Sequence, residues 1–138
     1  MATAGQVLEG PHDFRLHLLE IGEEALVMEA AYGGTAGMPP EHLHPSQTER
    51  FEVLEGSMRT LIGGEERTYG PGEPFEVPPG TPHQMAAEEP TRTRWEVHPP
   101  LRTADFFVAL YGAIAAEDWA RVPGILEEYS AEVQLTSQ

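Results

Sequence analysis

The chain has no cysteine and no lysine among its 138 residues. Without cysteine there are no disulfides, no thiolate metal sites and no cysteine nucleophile, and redox compartment cannot be read from it. All eight basic residues are arginine, against 23 acidic side chains, giving a formal charge of −15. A field of that sign repels phosphate backbones and anionic lipid, so neither nucleic-acid nor membrane partners are expected. Aspartate is scarce as well, since 20 of the acids are glutamate. With the missing lysine, this reads as coding bias and solubility rather than as a substrate signal. Long apolar runs are also missing. The longest, Phe106 to Ala116, has half the ~20 residues that a membrane span needs. Met1 to Gly10 carries neither a basic region nor an apolar core, so no signal peptide is expected and the protein is read as soluble and cytoplasmic.

What is present suits one domain with a packed core, because 40% of the residues are hydrophobic. Twelve of the 13 prolines precede Leu101, and with glycine they break that part into short segments of strand character. Asp13 to Glu20 alternates through Phe14, Leu16 and Leu18, and Ala25 to Tyr32 reads as a second strand. Glu49–Glu55, Ser57–Ile62, Glu65–Tyr69, Phe75–Val77, His83–Ala87 and Thr91–Val97 follow, with Gly63-Gly64 and Pro71-Gly72 as tight turns. Short strands at this spacing predict an antiparallel sandwich or barrel. After Pro99-Pro100 the apolar period becomes helical. Phe106, Phe107, Leu110, Tyr111 and Ile114 form one stripe, capped by Thr103 or Asp105. Val122, Ile125, Leu126, Tyr129 and Val133 form a second, with Pro123 in its first turn. The expected division is a β-domain over residues 1–100 and a C-terminal helical extension over 101–138.

Four residues carry the chemistry. His42 and His44 stand two apart, so on a strand both imidazoles project from one face. Glu49 opens the next strand on the face of Phe51 and Val53, which is the apolar one. A carboxylate on such a face needs a compensating partner, and a cation is the simplest. His83 is delivered by the rigid turn Pro78-Pro79-Gly80-Thr81-Pro82. Three imidazoles and a carboxylate suit one divalent transition metal ion, with positions left open for water or substrate. Against this stands chance: a histidine in a sheet is more often a surface or satisfied core residue. No dinucleotide, phosphate-loop, zinc-protease or serine-hydrolase motif is present.

The surrounding pattern shifts that balance. Gly37-x4-His42-x-His44-x4-Glu49-x6-Gly56 resembles the first motif of the cupin superfamily, and Gly72-x5-Pro78-x-Gly80-x2-His83 resembles its second. Fifteen residues separate them, as in compact bacterial cupins. Gly37 sits one residue closer to His42 than usual, and the motif's final Asn is Ala87 here. The resemblance implies an all-β antiparallel jelly-roll, or double-stranded β-helix, barrel followed by two α-helices. It makes His42, His44, Glu49 and His83 the ligands of one divalent ion (Fe, Mn, Ni, Cu, Co or Zn). It also implies chemistry on a small organic molecule, with a metal-dependent dioxygenase-like enzyme as the first expectation. A non-catalytic metal or small-molecule binding or sensor protein, and a metal-dependent isomerase or lyase, are the alternatives.

By strand parity Phe51, Met58, Thr60, Phe75, Met85 and Trp95 face inward as candidates for lining the pocket. Glu96 and Tyr69 are the nearest candidates for a catalytic base, while His17, His98, Arg92 and Arg94 are read as peripheral. The two apolar helical stripes and the exposed sheet edges lead to the expectation of a symmetric homodimer, with the segment before Asp13 available for strand exchange.

Overall fold

The computed structural model describes residues 1–136. Two antiparallel sheets face each other, built from eleven strands among these residues. The six-stranded sheet runs in the order β1 (Val7–Gly10), β2 (Phe14–Ile21), β3 (Leu26–Tyr32), β10 (Thr91–His98), β5 (Thr48–Glu55), β8 (Pro74–Val77). The five-stranded sheet runs β11 (Gln134–Leu135), β4 (His42–Leu43), β9 (His83–Ala86), β6 (Met58–Ile62), β7 (Glu65–Tyr69).

Alternation explains which face each strand buries. In β2 Leu16 and Leu18 are wholly buried while Arg15 and His17 face out. In β5 Glu49, Phe51 and Val53 point in, and Arg50 and Glu52 point out. Gly56 ends β5 at φ +83°, and a Cβ there would collide with the Thr91 side chain and the Pro90 carbonyl. That collision makes the bend a glycine position. The outer face of the larger sheet is covered by arginine–glutamate pairs, among them Arg92 with Glu29 and Glu55, Arg94 with Glu96, and Arg50 with Glu76.

The expected strands all form. Strand β4 is so short that His44 lies just beyond it, and β11 falls inside the stretch read as helical. Helices α1 (Thr103–Ala115) and α2 (Val122–Glu128) follow the barrel, joined through a 3-10 turn at Trp119–Arg121. Two local expectations are corrected. Neither Thr103 nor Asp105 caps α1, since the Thr103 hydroxyl accepts from Gln47 Nε2 at 2.8 Å and Asp105 accepts the Ala2 N–H at 2.9 Å. Helix α2 stops at Glu128, so Val133 lies past it, on a segment returning to the smaller sheet.

Phe106, Phe107, Ala113, Ile125, Tyr129 and Val133 pack into one apolar core with Leu16, Leu18, Leu26 and Met28. The helical stripes are therefore covered by the chain's own barrel, and β1 pairs with β2 of the same chain. A second core holds Phe51, Val53, Met58, Phe75, Val77 and Ala87. No helix is long and apolar enough to cross a membrane among the described residues.

Candidate metal centre

The fold brings His42, His44 and His83 into one cluster, and Glu49 stands beside His44 and His83. Strand β4 lies between β9 and β11, with His42 directly opposite His83 on one side and Leu135 on the other. The turn before His83 passes through Gly80 at φ +73°, and the Gly80 N–H donates to the His44 carbonyl at 2.8 Å. The two histidine-bearing loops are thus tied to each other. Glu49 arrives from the larger sheet, its inward direction set by the same alternation that buries Phe51 and Val53.

Ligand atoms of the three imidazoles lie within 4.8 Å of one another. Each ring also has Nδ1 against a backbone carbonyl: Pro40 for His42 at 3.1 Å, Glu132 for His44 at 2.8 Å, Thr81 for His83 at 2.9 Å. A carbonyl only accepts, so Nδ1 must carry the proton, and in the neutral ring Nε2 is left with its lone pair. Glu49 Oε1 stands 3.1 Å from Nε2 of His44 and 3.0 Å from Nε2 of His83. Its other oxygen accepts the Trp95 indole N–H at 2.9 Å.

Burial makes this arrangement costly unless something positive sits in it. Glu49 and His83 are each 1% exposed, and His44 is 7% exposed. His44 Nε2 and Glu49 Oε1 are buried and make no satisfactory hydrogen bond among the described residues, although they face each other. Two lone-pair atoms at that distance repel unless a proton or a cation lies between them. A proton serves one pair; a metal ion serves all the facing atoms at once. The Glu49 oxygen stands close enough to both imidazole nitrogens for one ion to be held by all three. The donor set fits a first-row transition ion.

The electrostatics favour an ionised Glu49 and a neutral His42, while His44 beside the carboxylate holds its proton more readily until an ion takes that place. Burial alone would raise the Glu49 carboxyl, but His44 and His83 beside it reverse that and hold it well below the usual carboxylate range. Burial, then the neighbouring His83, pushes the His42 imidazole down to about 4, which keeps it neutral and able to coordinate. Burial also pulls His44 down, yet the adjoining Glu49 carboxylate outweighs it and the ring ends above its ordinary value. His42, half-buried, is the most exposed of the four residues.

Of the six lining candidates, only Trp95 touches this centre in a hydrogen bond. Phe51, Met58 and Phe75 belong to the second apolar core, with Met85 and Trp95 packed against it. The Thr60 hydroxyl is engaged with the Arg67 carbonyl at 3.2 Å. Rings of Tyr69, Phe75, Phe51, Trp95 and Phe107 follow one another at centroid spacings of 4.5, 4.8, 5.3 and 5.3 Å. Glu96 lies on the outer face, held by Arg94 and His98. Two contributors had no sequence-level reading: the Glu132 carbonyl, and Gln47, whose wholly buried amide donates to the carbonyls of Pro99 and Pro100. Gln47 lies inside the first histidine motif, so a buried amide between two ligands was the available signal. For a backbone carbonyl there is none.

Two facing antiparallel sheets with a histidine cluster between them define a jelly-roll of the cupin kind. The chain belongs to the cupin family, whose cupin domain matches residues 26–99. Among solved structures it is similar to KdgF from Halomonas sp., at 20% identity and TM-score 0.62, covering 68% of this chain and 87% of that one. It is also similar to an RmlC-like cupin from Shewanella frigidimarina, at 17% identity and TM-score 0.61, covering 69% and 84%. A protein from Thermus thermophilus, TT1209, aligns at 23% identity and TM-score 0.59, covering 65% and 87%. These likenesses establish the fold. No protein of curated function matches the sequence.

Proposed function

We propose that this cupin holds one divalent first-row transition ion through Nε2 of His42, His44 and His83 and a Glu49 carboxylate oxygen, and handles a small organic molecule on the His42 side. One observation carries the reading: three imidazoles anchored through Nδ1 cluster together, and two of them, His44 and His83, face a buried carboxylate whose near oxygen lacks a hydrogen bond. Bound there, the ion would supply Lewis acidity and, for a redox-active metal, dioxygen chemistry, which makes dioxygenase-like activity the leading reaction class. The chain's own part is to neutralise, orient and exclude water. Glu49 contributes the negative charge, the Trp95 N–H fixes its second oxygen, and the aromatic row packs the barrel interior.

An isomerase or lyase would need a base beyond the ligands. Glu96 faces outward in ion pairs and Tyr69 stacks on Phe75, so neither candidate supports that class. The closely stacked rings favour, as second reading, a binding or sensor protein whose ligand sits at the mouth. Metal identity is left to measurement, because three nitrogens and an oxygen do not select sharply among Fe, Mn, Ni, Cu, Co and Zn.

Elemental analysis of protein purified without added metal tests the reading. Close to one equivalent in the wild type and a marked loss in His42→Ala support it; no stoichiometric metal in the wild type overturns it. The homodimer and the cytoplasmic setting remain part of the proposal. The dimer reading is supported by the open sheet edges β1, β8, β7 and β11. Light scattering coupled to size exclusion checks it, and a mass near 15.2 kDa at micromolar concentration would exclude it.

A further inference from the structure

The chain after α2 turns back towards the ligand strand. Val133 is buried in the helix-side core, Gln134 and Leu135 pair with Leu43 and His42, and the Thr136 N–H donates to the Glu41 carbonyl at 3.1 Å. Residues 129–136 thus run along the strand that carries His42 and leads into His44. His42 and His83 are each held by a carbonyl two residues earlier in the chain. His44 is different: its Nδ1 rests on Glu132, 88 residues away in sequence.

Glu132 is itself clamped. It is 2% exposed, and its Oε2 accepts the Arg102 backbone N–H at 3.0 Å with the guanidinium Nε at 3.5 Å. The same guanidinium donates to the Glu128 carbonyl at 2.8 Å and lies 4.6 Å from the Tyr129 ring centroid. Arg102 immediately precedes α1, so the clamp joins the start of one helix to the end of the other. A buried carboxylate is costly to desolvate, and one held by a cation is kept where one geometry must be fixed.

We propose that residues 129–136 form a strap that belongs to the metal centre: Glu132 is a positioning residue whose carbonyl sets His44 with Nε2 towards Glu49, and Arg102 locks it in place. This rests on the reading of His44 as a ligand. Losing the Glu132 side chain leaves its carbonyl in the chain but frees the strap, so His44 can rotate or change tautomer. Outer partners of ligating histidines typically contribute about 10- to 100-fold to metal affinity.

The test uses full-length protein, cobalt(II) alone as probe, and nitrogen-15 histidine spectra of the metal-free form. Glu132→Ala is expected to lower cobalt affinity at least about tenfold and to speed exchange of the His44 Nδ1 proton. Arg102→Ala is expected to do both to a smaller degree, and it is the variant to use if Glu132→Ala does not fold. Arg121→Ala, which removes an exposed pairing with Asp118 on the same extension, should leave both readings unchanged. If the Glu132 and Arg102 variants fold and keep wild-type cobalt affinity and exchange, the assignment is overturned. It is overturned equally if neither folds, because the clamp then serves folding. Should the wild type bind no cobalt, the metal reading fails, while the exchange rates still decide whether Glu132 positions His44.

Discussion

The two cores of the barrel differ in kind. The one under the helices is apolar throughout, with Leu16, Leu18, Leu26 and Met28 from the strands meeting Phe106, Phe107 and Ile125. The other is smaller, and the buried polar groups Glu49, Thr60 and His83 lie on the strands that build it. The first gains stability chiefly by removing apolar area from water; the second also carries the buried Glu49 Oε1, which has no hydrogen bond. A buried polar atom without a partner costs stability wherever it lies. The aromatic row connects the two through Trp95 and Phe107.

That division can be broken in four ways. The largest effect is expected in the apolar core. Leu18→Ala should lower unfolding free energy by about 2–5 kcal/mol in urea titrations, while the folded fraction keeps its metal affinity. A parallel loss of affinity would show that the regions are not separable. His83→Ala should reverse the pattern: affinity falls at least about a hundredfold, near 3 kcal/mol, and the metal-free urea midpoint shifts less than for Leu18→Ala.

Trp95→Phe keeps a ring in the aromatic row and removes only the donor to Glu49. Calorimetric titration should show affinity reduced by about 1 kcal/mol, the scale of one hydrogen bond. The smallest effect concerns pH. His42 takes its proton at about 4 when folded, against an ordinary value of 6.5. Between those values the unfolded chain binds more protons, so this residue makes stability fall as pH drops through that window. His42→Gln should therefore lose less of its urea midpoint between about pH 7 and 5 than the wild type does. A steeper loss would contradict the low folded value.

Legibility followed the physics of each element. Leu16 and Leu18 announce β2 because a half-buried strand must alternate, and the same rule turned Glu49 inward with Phe51 and Val53. The four ligand candidates were legible through two spaced motifs; the fold clusters the three histidines and sets Glu49 beside two of them. Strands of two residues, as at His42–Leu43 and Gln134–Leu135, have no period to read. Val133 fell on a helical spacing by coincidence, and only the departure of Tyr129 from helical backbone angles ends α2 before it. Thr103 and Asp105 look like caps, but tertiary partners took both side chains. What covers the helical stripes is likewise a tertiary matter, which periodicity alone cannot assign.

The hydrogen bond from Trp95 to Glu49 also makes the protein its own optical reporter. There are two tryptophans; Trp119 is 59% exposed in the turn between the helices, whereas the Trp95 indole touches the carboxylate at the centre. Their emission bands separate, because a solvated indole emits to the red of a sheltered one. An ion drawing on Glu49 alters the partner of the Trp95 N–H, and a paramagnetic ion in addition quenches the excited ring. In a Trp119→Phe background, intrinsic fluorescence then follows loading of the site in real time, with no dye and no substrate.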